Sequence, residues 1–451
     1  MHSVKLSELV AALSFALDIT EGQPKGHCLR CCWLGMHLAE GLGLSASQRH
    51  DLYYTLLLKD LGCSSNAARI CELYGTDDLN FKRSYKRVDG SLPQVLEFVR
   101  RHTGLTRSTL ARLLNVMRVL RHGSQWSQEL IQTRCERGAT IARRMRFSEA
   151  VAQGIHALDE HWNGEGKPDR LAGEAIPLYA RIALLTQVVD VFVQSAGKEA
   201  ALAEVKQRAG SWFDPHLVAQ LLKLEANTSL WRLMQADVGE LEQALARLAP
   251  PTVDLPLDDD YLDEIAMAFG QVVDAKSPYT AGHSERVAFY TEQIAAQLGL
   301  AETRRRWLKR AALLHDLGKL GVSNVVLDKP GKLDADEWQA VQQHAAYTGQ
   351  ILGHIDAFQD LAAVAAAHHE RLDGKGYPLG LAAEQISLET RIITTADIFD
   401  AITADRPYRA AIPIPRALEM MREHLHTAID PQCFAALEAS IAQQANPLAT
   451  A

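Results

Sequence analysis

A pattern that occurs twice constrains this chain more than any other feature. Gly26-His27-x-x-Arg30 followed by Leu42-Gly43-Leu44 is matched, at an offset of 256, by Gly282-His283-x-x-Arg286 followed by Leu298-Gly299-Leu300. The same offset sets Lys59-Asp60-Leu61-Gly62 against His315-Asp316-Leu317-Gly318. Farther on the offset falls to 210, where Trp162-Asn163-Gly164-Glu165-Gly166-Lys167-Pro168 faces Leu372-Asp373-Gly374-Lys375-Gly376-Tyr377-Pro378 and Arg181-Ile182 faces Arg391-Ile392. The first copy therefore carries about 46 additional residues between these blocks, some of them in the polar, basic stretch Tyr74–Arg87. A chain of 451 residues built this way is a tandem duplication with a diverged first half.

Ala, Leu, Glu, Gln and Arg dominate, with apolar residues at three- and four-residue spacing, which predicts an all-α fold. Ser284–Leu298 reads as one helix stopped by Gly299, and Asp334 with Glu337 three residues on reads as a capping box. Loops are expected at Asp328–Gly331 and Asp373–Pro378. Pro250, Pro251 and Pro256, just before the acidic run Asp258–Asp260, cannot continue a helix. The expected layout is thus a first domain over 1–245, a linker over 246–260 and a second domain over 261–451.

Several function classes fall away on composition. Net charge is −8 and the pI about 6.1, which argues against a surface for DNA or an anionic membrane. No apolar run approaches the roughly 18–20 residues that span a bilayer. Met1–Glu21 lacks a signal-peptide pattern, and seven cysteines that include adjacent Cys31 and Cys32 suit reduced thiols. The expectation is a cytoplasmic protein with no membrane segment.

The chemistry is concentrated in the second copy, which holds His283, His315, Asp316, His344, His368, His369 and Asp397. Imidazoles and carboxylates without cysteine suit iron, manganese or zinc in a catalytic site better than structural zinc. His315 and Asp316 end an apolar helix, and neighbours there diverge by about 100°, so both can reach adjacent ions. A carboxylate can bridge two cations, and a two-cation site can clamp both oxygens of an in-line phosphoryl displacement. Lys319, one turn on, can neutralise a phosphate oxygen. Isolated histidines such as His354, His424 and His426 read as ordinary surface or core residues.

His315-Asp316-Leu317-Gly318-Lys319, His368-His369-Glu370-Arg371-Leu372-Asp373-Gly374-Lys375-Gly376-Tyr377-Pro378 and the block from Asp397 to Arg409 resemble the HD-GYP family, a branch of the HD phosphohydrolase superfamily. The resemblance covers about 150 residues of the second copy. It implies two tandem HD-type helical domains, a pair of divalent metal ions (iron or manganese) and hydrolysis of a cyclic dinucleotide. That substrate would be cyclic di-GMP, cleaved to pGpG or GMP, or 3′3′-cyclic GMP-AMP. By resemblance, His283, His315, Asp316 and Asp397 hold one ion and Asp316, His344, His368 and His369 the other, with a bridging water or hydroxide as nucleophile. Asp316 and Lys319 are then the catalytic pair, and Lys319, Tyr377, Arg406 and Arg409 contact the substrate. Some members place a Glu four residues before the first histidine and bind a third ion. Here Tyr279 stands at that position, which implies a dinuclear site.

The first copy keeps His27 and Asp60 but puts Lys59 opposite His315, Cys63 opposite Lys319, Leu158 and Asp159 opposite His368 and His369, Lys167 opposite Tyr377 and Gln187 opposite Asp397. Anchored on Gly138 and Gly349, Thr133 stands opposite His344. This half is expected to be inactive and to serve regulation or dimerisation. Its cysteines, Cys28, Cys31, Cys32, Cys63, Cys71 and Cys135, read as small buried filler ahead of a thiolate site. The alternative to an enzyme is an adaptor that senses cyclic dinucleotides and docks a GGDEF-domain protein, a contact the resemblance attributes to the GYP loop. A homodimer is a further expectation.

Overall fold

The computed structural model describes residues 5–88, 91–105, 108–249, 257–405 and 410–445. Among them the chain is helical and contains no β-strand, only isolated bridge pairs such as Asp373 with Ala382. It divides into two compact units, Ser3–Leu257 and Asp258–Ala451. Helices run to Leu248 and resume at Asp259, so the connecting segment is shorter than the expected 246–260, and its prolines lie outside the described residues. The acidic run begins a helix. Asp258 caps it by accepting from Tyr261 N, while Asp259 and Asp260 pair with Arg310 and Arg306.

In the first unit, the helix His27–Gly41 lies at the centre, packed by Leu6–Thr20, Ala46–Leu58 and Leu178–Ala196. Leu29, Leu34 and Leu38 are fully buried on it, and so are Cys28, Cys31 and Cys32. Burial pushes these thiols up, Cys31 to about 12, so they pack as protonated small groups. Ser45 and Gln48 form a reciprocal capping box that fixes the start of Ala46–Leu58.

The polar, basic stretch Tyr74–Arg87 also supplies core residues. Ile70, Leu73, Tyr74 and Phe81 turn inward onto Phe98, Val99, Val119 and Leu130, building an aromatic core between Ala67–Tyr74, Asp78–Tyr85, Leu92–His102 and the long helix Thr109–Arg144. Burying those apolar groups carries Lys82 and Lys86 inside with them.

The second unit repeats the central theme. The helix His283–Gln297 packs on Asp259–Asp274, Glu302–Leu314, Leu388–Thr403 and Pro431–Ala445. It lies one residue earlier than the expected Ser284–Leu298, with Leu298 as its C-cap and Gly299 following at φ +76. Asp334 and Glu337 form the expected capping box at the start of Ala335–Leu352. The turn Leu317–Gly321 crosses that helix very closely. A Cβ on Gly318 would fall 1.9 Å from the His344 carbonyl oxygen, so only glycine lets the two backbones meet.

Candidate active site

Five separate elements deliver the seven predicted ligands of the second unit. His283 opens its helix behind Gly282, whose φ of +69 turns the chain into it. His315 and Asp316 stand at the C-terminal end of Glu302–Leu314, His344 lies two turns before the end of Ala335–Leu352, His368 and His369 follow Gln359–Ala366, and Asp397 sits mid-way along Leu388–Thr403. They fall into two groups, His283 with His315 and Asp397, and Asp316 with His344, His368 and His369, with ligand atoms within 4.8 Å of one another in each.

Asp316 lies between the groups. Its Oδ2 is 3.3 Å from both His283 Nε2 and His315 Nε2, and its Oδ1 is 3.4 Å from His344 Nε2 and 3.7 Å from His368 Nε2. Asp397 Oδ1 is 3.4 Å from His283 Nε2 and 3.9 Å from His315 Nε2. One carboxylate thus presents a separate oxygen to each set of imidazoles.

The imidazoles are held for ligation. His315 Nδ1 donates to Ala312 O at 2.6 Å, His344 Nδ1 to Val341 O at 2.5 Å and His368 Nδ1 to Ala365 O at 2.6 Å. His283 Nδ1 donates to Asp400 Oδ2 at 2.7 Å, and Arg286 Nε holds the other oxygen of Asp400 at 2.6 Å. Each of these four rings therefore turns Nε2 toward the cluster. Burial keeps His344 and His368 neutral, pushing them down to about 4 and about 3, and drives His369 well below the histidine range. Burial would raise Asp316, but His315, Lys319 and His283 outweigh it and hold the carboxyl well below its usual range.

The residues present fit a pair of hard to borderline cations. His283 Nε2, His315 Nε2 and Asp316 Oδ1 are buried without a hydrogen-bond partner of good geometry. Three such atoms at one point would cost about 1–3 kcal/mol each if nothing satisfied them. Imidazoles and carboxylates, with no thiol in either group, are ligands suited to divalent transition-metal ions.

Lys319 reaches this cluster, its Nζ 2.5 Å from Asp316 Oδ2. Tyr377 stacks near His369, with ring centroids 4.8 Å apart, and near His344 at 6.2 Å. Arg406 and Arg409 lie outside the described residues. Tyr279 is 37% exposed in the turn Pro278–Thr280 and does not join either ligand group. His354, His424 and His426 are also absent from both groups.

Two groups went unnoticed in the sequence. Asp400 carries no ligand signature, although its place three residues after Asp397 puts it one turn along the same helix face. Trp338 is 47% exposed, with its ring 6.0 Å from that of Tyr377. A large aromatic left open beside a ligand cluster is the signal that could have marked it.

The first unit repeats the frame and changes the contents. His27 Nδ1 donates to Asp190 Oδ2 at 2.6 Å and Arg30 Nε to Asp190 Oδ1 at 2.6 Å, the counterpart of His283, Arg286 and Asp400. A Cβ on Gly62 would fall 1.9 Å from Arg134 O, as one on Gly318 would from His344 O. That contact corrects the expected register: Arg134, not Thr133, stands where His344 stands. A single helical glycine is a weak anchor, whereas a backbone crossing fixes the residue.

Cations thus replace ligands. The buried ammonium of Lys59 pairs with Asp60, and Lys86 Nζ lies 2.8 Å from Glu21 and 3.7 Å from Asp60 and donates to Gln187 at 3.2 Å. Burial works against the Lys86 ammonium, but Asp60 and Glu21 outweigh it. Burial would likewise raise Glu21, yet Lys86 brings it down to about 2. Glu21, Asp60 and Cys63 could hold a metal by spacing, as could His27, Cys31 and Asp190. Their carboxylates are already neutralised by lysine and arginine.

The model of a family described as "HD domain" matches residues 111–217 and 268–433, one stretch in each unit. A 3′3′-cGAMP-specific phosphodiesterase 3 of Vibrio cholerae serotype O1 is 60% identical over 440 residues, 98% of this chain and 95% of that protein. A cyclic di-GMP phosphodiesterase response regulator of Xanthomonas campestris is 38% identical over 176 residues, 39% of this chain and 47% of its own length. Among solved structures, that of a cyclic GMP-AMP-specific phosphodiesterase of Vibrio cholerae superposes with a TM-score of 0.67 at 55% identity, covering 98% of each chain.

Proposed function

The chain belongs to the HD-GYP branch of the HD-domain family and is a phosphodiesterase of cyclic dinucleotides, and from that premise we propose that it opens 3′3′-cyclic GMP-AMP at the seven-ligand cluster of its second unit. The observation that carries the location is Asp316, with one oxygen toward His283 and His315 and the other toward His344 and His368. The whole-length likeness to a 3′3′-cGAMP-specific enzyme favours that substrate over cyclic di-GMP, whose named relatives match only part of this chain.

His283, His315, Asp316 and Asp397 would hold one cation, and Asp316, His344, His368 and His369 the other. Two such ions, when bound, supply Lewis-acid charge to the phosphodiester and lower the pKa of an attacking water. The remaining work falls to the chain itself. Asp400, clamped by Arg286, keeps His283 in the tautomer and orientation that ligation needs. Lys319 places its ammonium where a phosphate oxygen gathers charge. Tyr377 and the exposed Trp338 form an aromatic rim on which a purine can stack. Tyr279 stays out of the ligand groups, which favours two ions over three.

The test is chromatography of products from the metal-loaded chain given 3′3′-cyclic GMP-AMP and, separately, cyclic di-GMP. Faster turnover of the mixed dinucleotide is expected. Both compounds left intact would sink the assignment, and faster cleavage of cyclic di-GMP would overturn the choice of substrate.

A further inference from the structure

We propose that the cleft of the first unit binds a phosphate-bearing nucleotide and holds it without hydrolysis. Two adjoining cavities lie there, of about 250 Å³ and about 80 Å³, sharing Tyr85, Lys86, Ile131 and Arg134.

The charge of this cleft points to an anion. Lys86 and Arg134 line both cavities, Lys82 the smaller and Lys167 the larger, with Lys59 buried just beneath. Facing them are Glu21 and Asp60, which pair with Lys86 and Lys59, and Asp159, which pairs with Arg134. Among the described residues neither Lys82 nor Lys167 forms a direct ion pair, although Glu21 lies within electrostatic reach of Lys82. Lys82 Nζ donates only to carbonyl oxygens, of Thr20 at 3.1 Å and Cys63 at 2.8 Å, and Lys167 Nζ to Ser127 Oγ at 2.8 Å. With Glu165 exposed at the rim, five cations face four carboxylates, which leaves one positive charge in a partly dry place. Burial, with Arg170 nearby, holds the Lys167 ammonium below the ordinary lysine range, a cost an adjacent anion would remove.

The walls suit a base. His161 stacks on Trp212 with centroids 4.0 Å apart at 22°, and Tyr74, Phe81 and Tyr85 line the inner recess. Aromatic faces stack nucleobases with little regard to sequence, and lysine and arginine take phosphate oxygens. Hydrolysis would not follow, because Lys59 and Arg134 stand at the positions of His315 and His344. Positive charge that the second unit would draw from cations in solution is here covalently part of the chain.

This inference does not depend on which dinucleotide the second unit cleaves. The experiment is equilibrium binding to the full chain carrying Asp316→Asn, so that nothing is turned over. The probes are 3′3′-cyclic GMP-AMP, cyclic di-GMP, GMP and ATP, with inorganic phosphate as the base-free control. At least one nucleotide is expected to fill a site that Lys167→Glu removes and Lys167→Arg retains. Inorganic phosphate should bind that site at least ~10-fold more weakly. Should Lys167→Glu disturb the circular dichroism, Lys167→Met, which deletes the charge and keeps the stem, decides instead. If none of the four nucleotides shows occupancy that depends on the Lys167 charge, the proposal is wrong.

Discussion

The two units share the clamp on their first histidine, His27 with Asp190 and Arg30 in one, His283 with Asp400 and Arg286 in the other. They differ in what faces the central aspartate. Asp316 meets the imidazoles of His283, His315, His344 and His368 together with Lys319, and Asp60 meets the ammonium groups of Lys59 and Lys86. A buried carboxylate needs a counter-charge, and the two units meet that need by different means. The second leaves the place open to ions that can do chemistry. The first closes it with side chains that cannot, and gains independence from metal supply.

The strongest way to break this contrast is to remove each aspartate. Asp316→Ala should abolish the proposed hydrolysis, by ~10³-fold or more, and empty the second unit of metal, read by product chromatography and elemental analysis. Asp60→Ala should leave metal content unchanged. It should instead cost about 3–5 kcal/mol of stability by stranding Lys59, seen as an early thermal transition. If Asp60→Ala also removed bound metal, the reading of the first unit would fail.

The next contrast uses the backbone crossings. Gly318→Ala must part the Leu317–Gly321 turn from His344 and should lower activity through lost metal, whereas Gly62→Ala should lower only the melting temperature. Equal loss of activity in both would show that the crossing in the first unit also governs the site.

A smaller effect is expected at the aromatic rim. Trp338→Ala should raise KM for the dinucleotide about tenfold, about 1.4 kcal/mol, with little change in kcat, and Trp338→Phe should recover most of it. Turnover of bis(p-nitrophenyl) phosphate, which carries no nucleobase, should not change. A fall in both activities would mean that Trp338 supports the ligand helix instead of the substrate.

The smallest is a gain. Tyr279→Glu puts a carboxylate where the resemblance implies a third ligand set, and metal content should rise from two toward three ions per chain. An unchanged count would show that the turn Pro278–Thr280 points that position away from the cluster.

Much of the second unit was legible in the sequence because two pairs of its candidate ligands, His315-Asp316 and His368-His369, sit in compact motifs and its caps obey local rules, as at Asp334 and Gly299. Asp400 was not, since an outer-sphere carboxylate has no spacing of its own to obey. Trp338 was not, since only its exposure beside Tyr377 distinguishes it. In the first unit Tyr74–Arg87 read only as polar and basic, and its sequence did not show that the burial of Tyr74 and Phe81 decides where Lys82 and Lys86 go. Arg134 was missed by one residue because on a helix a single step turns a side chain by about 100° and no local pattern records it.

Gly62 and Gly318 bear on how such a chain can drift. A ligand can be exchanged in one step, and the first unit has lost nearly all of its own. A residue on which two backbones rest has no such freedom, because any side chain there moves a whole helix. Functional drift is therefore channelled into the neighbours of that glycine. When relatives of this protein are sorted by their genomes, the Gly after Asp-Leu tells only that the scaffold still folds. The residue before the Asp, Lys59 here and His315 there, tells whether the copy still has a trade.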